Sequence, residues 1–266
     1  MRVKFAGVPT FEITPVSISQ EFFMKKLSLA AVSLSSMLWG CGFDQAETGL
    51  QLVSLTYDFS TSEHGWKGGF CDYPATSYDS IFYELRYEHT NAPSEIDQSG
   101  KAIMLSGSNH SDDLFMYLKR KIVNLAPNED YFLTYEITLA SNAADESFGA
   151  GGSPGGSVFL KVGASDIEPR SVIQDGQYVM NIDKGNQIED GADMVTIGDV
   201  GGPSDGKSYV LITRTNGPDI AHTEKVLVAH TNNKGELWLI VGTDSGFEGT
   251  TTLYYTSITA VLSRSN

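Results

Sequence analysis

The sequence is poor in cysteine, with only Cys41 and Cys71 among its 266 residues. At most one disulfide could therefore form, so the stability of the chain must come from a hydrophobic core. Cys71 lies between Phe70 and Asp72, where we expect a buried small apolar side chain, with a reactive thiol as the alternative.

Sequence patterns that mark common catalytic sites are also missing. The five histidines are scattered, with no His-Glu-x-x-His pair for zinc, and the glycine-rich stretch at 149–156 lacks the Gly-Lys-Ser/Thr ending of a phosphate loop. The stretch from His110 to Asp113 supplies histidine, serine and aspartate, but neighbouring residues of a strand face opposite ways. We therefore interpret it as a turn or cap and predict no catalytic residue.

Positive charge is scarce as well. The chain has 18 lysines and arginines against 33 aspartates and glutamates, for a net charge of −15 at pH 7. Such a surface repels phosphate backbones and anionic headgroups, which argues against nucleic-acid binding and against electrostatic docking to a membrane. Neutral glycans, cations and basic partners remain compatible with it.

The longest apolar run near the start of the chain, residues 27–38, is too short to span a bilayer. Lys25 and Lys26 precede it, and this order of charge and apolar run predicts an export signal. Residues 1–23 place that positive stretch in the interior, so the simplest interpretation is that translation starts at Met24.

The end of that run, Leu38-Trp39-Gly40-Cys41, resembles the lipobox of bacterial lipoproteins, although Trp39 is larger than the residue usual there. The resemblance implies that residues 24–40 are a signal peptide and that Cys41 is lipidated, becomes the first mature residue and anchors the chain to a membrane. Gly42 in place of aspartate implies the outer membrane, in a host that has one.

Cleavage there would remove four basic and two acidic residues and leave 226 residues with a net charge of −17. It would also leave Cys71 without a disulfide partner. We interpret residues 41–49 as a tether and residues 50–266 as one domain.

Apolar and polar residues alternate along most of that domain, as they do in half-buried strands. The segments with this pattern, or with a short apolar run, are separated by turns rich in glycine, proline and asparagine and lie at residues 53–59, 131–139, 158–162 and 237–241. Residues 112–125 fit either a helix or a strand, and the turn at Pro127 favours a strand. Ten to twelve short strands predict an all-β chain, an antiparallel two-sheet β-sandwich of jelly-roll type.

An opening strand that ends at Phe59, the triplet His64-Gly65-Trp66, the stretch at 125–131 and a closing strand at 253–262 together resemble the jelly-roll carbohydrate-binding modules of secreted bacterial proteins. The resemblance covers most of residues 50–262 and implies a glycan ligand. Residues 109–116 and 183–187 are similar to stretches of uncharacterised secreted bacterial proteins, which imply no function.

The candidate ligand site is the loop from His64 to Tyr78. Aromatic rings beside glycines suit a pyranose, whose apolar face stacks on a ring while carboxylates bond its hydroxyls. The residues assigned to this site are Trp66, Phe70, Asp72, Tyr73 and Tyr78. In the alternative interpretation Trp66 plugs the end of the sandwich and the tyrosines line its rim.

Clustered carboxylates in two glycine-containing loops are candidates for a Ca²⁺ site, because hard cations prefer such ligands. The carbohydrate-binding modules resembled here often hold a structural Ca²⁺ near their first and last strands. The residues assigned to the metal are Asp58, Asp183, Asp190, Asp244 and Glu248. The alternative is that the acidic loops are solvated.

These features predict a lipid-anchored envelope protein whose sandwich binds a ligand, and a glycan is the favoured class of ligand. The alternatives are a jelly-roll glycoside hydrolase or polysaccharide lyase and a non-catalytic interaction protein of the envelope. An enzyme should place several ionisable side chains in one groove, whereas a binding module should present aromatic rings with few titrating groups.

Overall fold

The computed structural model describes residues 50–76, 79–96, 100–145, 147–217 and 225–265. Tyr78, the export signal, Cys41 and the tether lie outside the described residues. Within the described residues no helix is long and apolar enough to cross a membrane.

The described residues form fifteen strands and one four-residue helix, α1 (Asp79–Phe82). The strands are β1 (Leu50–Asp58), β2 (Lys67–Cys71), β3 (Tyr73–Pro74), β4 (Arg86–Asn91), β5 (Lys101–Ser108), β6 (Leu114–Ile122), β7 (Asp130–Ser141), β8 (Val158–Ser165), β9 (Ser171–Gln174), β10 (Gln177–Met180), β11 (Met194–Asp199), β12 (Val210–Thr215), β13 (Leu227–His230), β14 (Leu237–Ser245) and β15 (Thr250–Ser265).

Two antiparallel sheets face each other. The seven-stranded sheet has the order β12-β7-β15-β5-β4, with β1 added to β15 and β13 to β7. The five-stranded sheet has the order β11-β8-β14-β6-β2. Most connections between long strands, from β5 to β6, β6 to β7, β7 to β8 and β14 to β15, cross from one sheet to the other. This is the jelly-roll sandwich predicted from the sequence.

The main core lies between the two sheets and follows from alternation in the strands. Along β7 the residues Tyr131, Leu133, Tyr135, Ile137 and Leu139 point inward and are almost fully buried, as predicted. The ambiguous segment at 112–125 forms β6, a strand, which confirms that interpretation.

A third, smaller layer covers part of the outer face of the five-stranded sheet. It consists of the three-stranded sheet β3-β10-β9 and the loop that follows β10. Under it lies a second apolar cluster formed by Cys71, Phe115, Tyr117, Ile182, Met194 and Ile240. Cys71 is fully buried, and burial raises the pKa of its thiol well above the usual value, so the expectation of a buried apolar side chain is confirmed.

Candidate functional site: a groove around Trp238

Trp66, assigned to the ligand site, belongs to the core. It is 1% exposed, and its indole meets the rings of Tyr57 and Phe59 edge to face, with centroid distances of 5.6 and 6.5 Å. The indole therefore has no free face for a sugar, and the interpretation of Trp66 as a stacking platform is wrong. The loop before β2 places Trp66 against Tyr57 and Phe59, where burying a large ring removes apolar surface from water.

The other residues assigned to this ligand site are also engaged in packing or pairing. Phe70 is partly buried against the main core, and the ring of Tyr73 packs on Tyr83 and Tyr178. Asp72 is held in an ion pair, with a carboxylate oxygen 3.0 Å from the Nζ of Lys184. The described members of the predicted site therefore do not form an exposed aromatic surface.

The five residues assigned to calcium are not brought together. Asp183 accepts hydrogen bonds from the N–H groups of Gly185 and Ala192 within its own loop, and Asp190 pairs with Lys225 at 2.9 Å. Asp58 and Glu248 are exposed residues outside that loop. Among the described residues, neither of the two candidate loops therefore gathers its assigned carboxylates into a group that could hold a metal ion.

Asp244 does belong to a cluster of three aspartates. Asp72, Asp113 and Asp244 place carboxylate oxygens within 4.8 Å of one another, a spacing that could hold a metal ion. The ammonium of Lys184, however, already lies 2.7 Å from Asp244 and 3.0 Å from Asp72. It supplies the positive charge that the carboxylates require, and calcium binding here stays a prediction.

A second lysine joins this buried network and ties the loop at 183–193 to the five-stranded sheet. Lys161 is fully buried, and its Nζ donates to the carbonyls of Gln187 and Glu189 at 2.8 and 2.7 Å. Asp244 accepts from the N–H of Gln187 at 3.0 Å. We infer that these charges serve to position the loop, since buried charges need such pairing.

The carboxyl group of Asp113 has a strongly raised pKa. Burial raises the pKa of Asp113 to about 7, and the charges of Asp244 and Asp72 act in the same direction, against the opposing effect of Lys184. Burial likewise raises the pKa of Asp72. The network is therefore close to neutral when Asp113 holds a proton.

The Asp113→Asn variant should be less sensitive to pH than the parent. Between about pH 4 and about pH 7 the native state keeps a proton on Asp113 that the unfolded chain has lost, so stability falls as pH rises through this interval. Asparagine cannot ionise, so at pH 8 the melting temperature of the Asp113→Asn variant should exceed that of the parent by about 3 °C or more.

Melting curves at pH 5 and pH 8 measure this difference. The lowered pKa values of Asp183 and Asp190 affect stability only at more acidic pH. Equal changes in melting temperature for parent and variant between pH 5 and pH 8 would show that Asp113 does not titrate in this range.

A groove around Trp238 combines an aromatic ring with charged side chains, as a ligand site requires. Trp238, in the central strand β14, points away from the main core and is partly exposed on the outer face of the five-stranded sheet. It lines a groove of about 290 Å³ at the end of this face that the third layer leaves open. The other lining residues are Gly65, Lys67, Lys119, Arg120, Lys121 and Glu168.

Ion pairs hold the long side chains around the indole in place. The Nζ of Lys119 lies 5.6 Å from the centroid of the Trp238 ring and donates to Glu168 and to the carbonyl of Pro169, both at 2.7 Å. The hydrogen bond from Lys119 lowers the pKa of Glu168. Lys121 is paired with Glu236 at 2.7 Å. The polar groups of the groove are therefore arranged before any ligand arrives.

Gly65 keeps one wall of the groove open beside Arg120. Its φ of +77° is a backbone conformation that glycine adopts freely, and a Cβ there would lie 3.0 Å from a guanidinium nitrogen of Arg120. The predicted loop thus contributes Gly65 and Lys67 to the groove, although not the residues that were assigned to the ligand.

A larger groove, of about 340 Å³, lies elsewhere and is less suited to a sugar. It is lined by small and hydroxyl-bearing residues, such as Ser141, Asn142 and Thr250, with Phe247 as its one aromatic ring. That ring packs against Gly149 and Gly249 and belongs to the edge of the main core. No charged side chain among the described residues lines this groove.

Sequence reasoning missed Trp238, Lys119 and Lys121 as site residues. The available signal was the alternation in β6, which places Phe115, Tyr117, Lys119 and Lys121 on one face. The two aromatic residues of this face lie under the third layer, and the two lysines that follow lie on the part of the face that meets solvent.

Comparisons with known proteins assign no family. No family model matches the chain, and no curated protein matches it. A carbohydrate-binding module studied for specific mannan recognition is 12% identical, with 79% of this chain and 98% of that chain covered and a TM-score of 0.33. The family 11 carbohydrate-binding module of a cellulosomal cellulase of Clostridium thermocellum is 8% identical, with coverages of 78% and 94% and a TM-score of 0.34.

A third similar structure is the enzymatically active domain of a tailspike protein of bacteriophage CBA120. It is 11% identical with a TM-score of 0.34, and the match covers 73% of this chain but only 19% of that protein. Likenesses at these TM-scores carry no inference about a ligand, which must come from the groove itself.

Proposed function

We propose that the β-sandwich binds a saccharide in the groove around Trp238. The observation that carries the proposal is the partly exposed indole on a sheet face, ringed by fixed lysine and glutamate side chains. An indole offers a flat apolar surface for the face of a pyranose, and the charged groups beside it can bond the hydroxyls. A rigid sheet holds these groups in register, which favours binding.

Binding without catalysis is favoured over glycoside hydrolysis. Hydrolases of this kind use a pair of carboxyl groups on either side of the scissile bond. Glu168 is the one carboxylate among the described residues that line the groove, and its ion pair with Lys119 keeps it ionised. The carboxyl cluster around Asp113 and Asp244 lies on the same sheet face, but Asp244 is already paired with the ammonium groups of Lys161 and Lys184.

The Trp238→Ala variant should lose most of its affinity for the saccharide while staying folded. Stacking on an aromatic ring contributes about 1 to 3 kcal/mol by analogy with nucleobases, which corresponds to a loss of affinity of about fivefold to 150-fold. A glycan array identifies the ligand, and isothermal titration calorimetry measures the affinity of the parent and the variant.

Phe132→Ala is the matched control, because Phe132 is 53% exposed on the outer face of the other sheet. It removes an exposed ring without touching the groove, so its affinity should equal that of the parent. If the array identifies a saccharide and Trp238→Ala binds it with the affinity of the parent, the binding site lies elsewhere.

We also propose that a lipid on Cys41 anchors the chain at the cell envelope. The support is the order of positive charge, short apolar run and Leu-Trp-Gly-Cys ending in the sequence. The expected mature N-terminus is a lipid-modified Cys41, which mass spectrometry of the purified chain detects. An unmodified cysteine at that position, or release of the chain into the medium, contradicts the proposal.

A further inference from the structure

We propose that the saccharide recognised by the Trp238 groove is anionic, with a carboxylate or sulfate group bound by Lys67 and Arg120. This inference rests on the proposed function, because it names the class of ligand for the same groove. An anionic ligand differs from the expectation drawn from the net charge of the chain, which left neutral glycans, cations and basic partners as compatible ligands.

The charge of the groove is opposite to that of the chain. Four of its seven lining residues are cations, namely Lys67, Lys119, Arg120 and Lys121, and one is a carboxylate, Glu168. The chain as a whole carries a net charge of −15. A local concentration of positive charge on such a protein attracts anions to this one surface.

Two of the four cations are already satisfied by the protein. Lys119 is paired with Glu168 and Lys121 with Glu236, both at 2.7 Å. These pairs fix the walls of the groove and leave little charge for a ligand.

The other two cations form no direct ion pair with a carboxylate in the described part of the chain. Lys67 is exposed at the start of β2, and its charge acts on Glu168 and helps to lower the pKa of that carboxyl, after the larger effect of Lys119. Arg120 alternates with Lys119 and Lys121 in β6, so its side chain leaves the strand on the core side, where the guanidinium lies 4.5 Å from the ring centroid of Tyr57. A terminal guanidinium nitrogen reaches the groove beside Gly65, where a Cβ would lie 3.0 Å from it. A guanidinium presents a fork of donors that matches the two oxygens of a carboxylate or sulfate.

The geometry therefore combines a stacking ring with unpaired cations. The ring selects a saccharide over a simple inorganic anion, and the cations select a charged saccharide over a neutral one. The absence of a side chain at Gly65, directly beside Arg120, leaves room for the anionic group to approach.

The test uses the full-length chain on an array that carries uronate-containing, sulfated and neutral oligosaccharides, with a single-stranded oligonucleotide as a polyanion that is not a saccharide. Binding to anionic members and not to their neutral counterparts is expected, and it should weaken as ionic strength rises. Titration calorimetry with the tightest oligosaccharide then compares Lys67→Met, Arg120→Lys and Lys101→Met.

Lys67→Met removes the charge and keeps an apolar stem, and it should weaken binding about fivefold. Arg120→Lys keeps the charge and loses the fork, and it should weaken binding by a similar factor. Lys101→Met makes the same charge change at an exposed lysine of β5 outside the groove, and its affinity should stay within about twofold of the parent.

The outcomes separate this inference from the proposed function. Binding of neutral saccharides alone, with loss in Trp238→Ala, overturns the anionic ligand and leaves the saccharide site intact. Equal binding of the oligonucleotide also overturns the inference, because the groove would then attract any polyanion. Binding of no saccharide on the array overturns both proposals.

Discussion

Replacing Asp244 with alanine is expected to lower the free energy of unfolding by about 3 to 5 kcal/mol. Asp244 is fully buried and accepts from Lys184 at 2.7 Å and from the N–H of Gln187 at 3.0 Å, with Lys161 at 3.7 Å. Alanine would leave two lysines without this carboxylate inside the protein. Asp72 and two loop carbonyls would remain as partners, but a buried ammonium group that loses a carboxylate is destabilised, which explains the size of the effect.

Chemical denaturation measures the change, with two variants that separate charge from general damage. Asp166→Ala removes an exposed aspartate and should change stability by less than about 0.5 kcal/mol. Asp244→Asn keeps an acceptor oxygen without the charge, so its loss should lie between the two. A loss below about 1 kcal/mol for Asp244→Ala would mean that the lysines find other partners or water.

Replacing Trp66 with alanine is expected to cost about 3 to 5 kcal/mol of stability as well. The indole is one of the largest fully buried side chains, and its removal would leave a cavity between Tyr57 and Phe59. The effect should appear as a fall in stability or poor expression, with saccharide affinity unchanged in whatever fraction folds.

Trp66→Phe is the informative control for this position. It keeps an aromatic ring and removes an indole N–H that is buried without a hydrogen-bond partner among the described residues, so it should be much milder than alanine. A Trp66→Ala chain that keeps its melting temperature would contradict the burial of the indole.

Alternation along each strand made the sandwich predictable, because period two directly reports which side chains enter the core. The strand β7 was readable from Tyr131 to Leu139 for this reason. The short strands β3, β9 and β10 were not predicted, since two to four residues give too little pattern. The fold class was therefore predictable, and the third layer was not.

The candidate site depended on that third layer. In β14 the apolar run Leu237–Val241 predicts a strand without reporting which of its side chains are covered, and Ile240 is fully buried beneath the added layer. Trp238, two residues earlier on the same face, lies beyond the edge of this cover. Whether a residue in a buried-looking run meets solvent depends on where a distant segment folds, which local patterns do not report.

Composition gives the net charge of the chain, but it does not report where the charges lie on the surface. A net charge of −15 predicted a surface that avoids anions, yet sheet pairing places Lys67 opposite Lys119 and Lys121 opposite Trp238. Three lysines from two strands thus meet around one ring. Only the register of the strands could show this.

The most direct measurement of the central claim is a nuclear magnetic resonance titration of the full-length chain with its best saccharide. The chain has three tryptophans, so its indole N–H signals are few and can be assigned with Trp238→Phe and Trp66→Phe. We predict that the saccharide shifts the signal of Trp238 and leaves that of buried Trp66 in place. A saccharide that binds without moving the Trp238 signal would contradict the account.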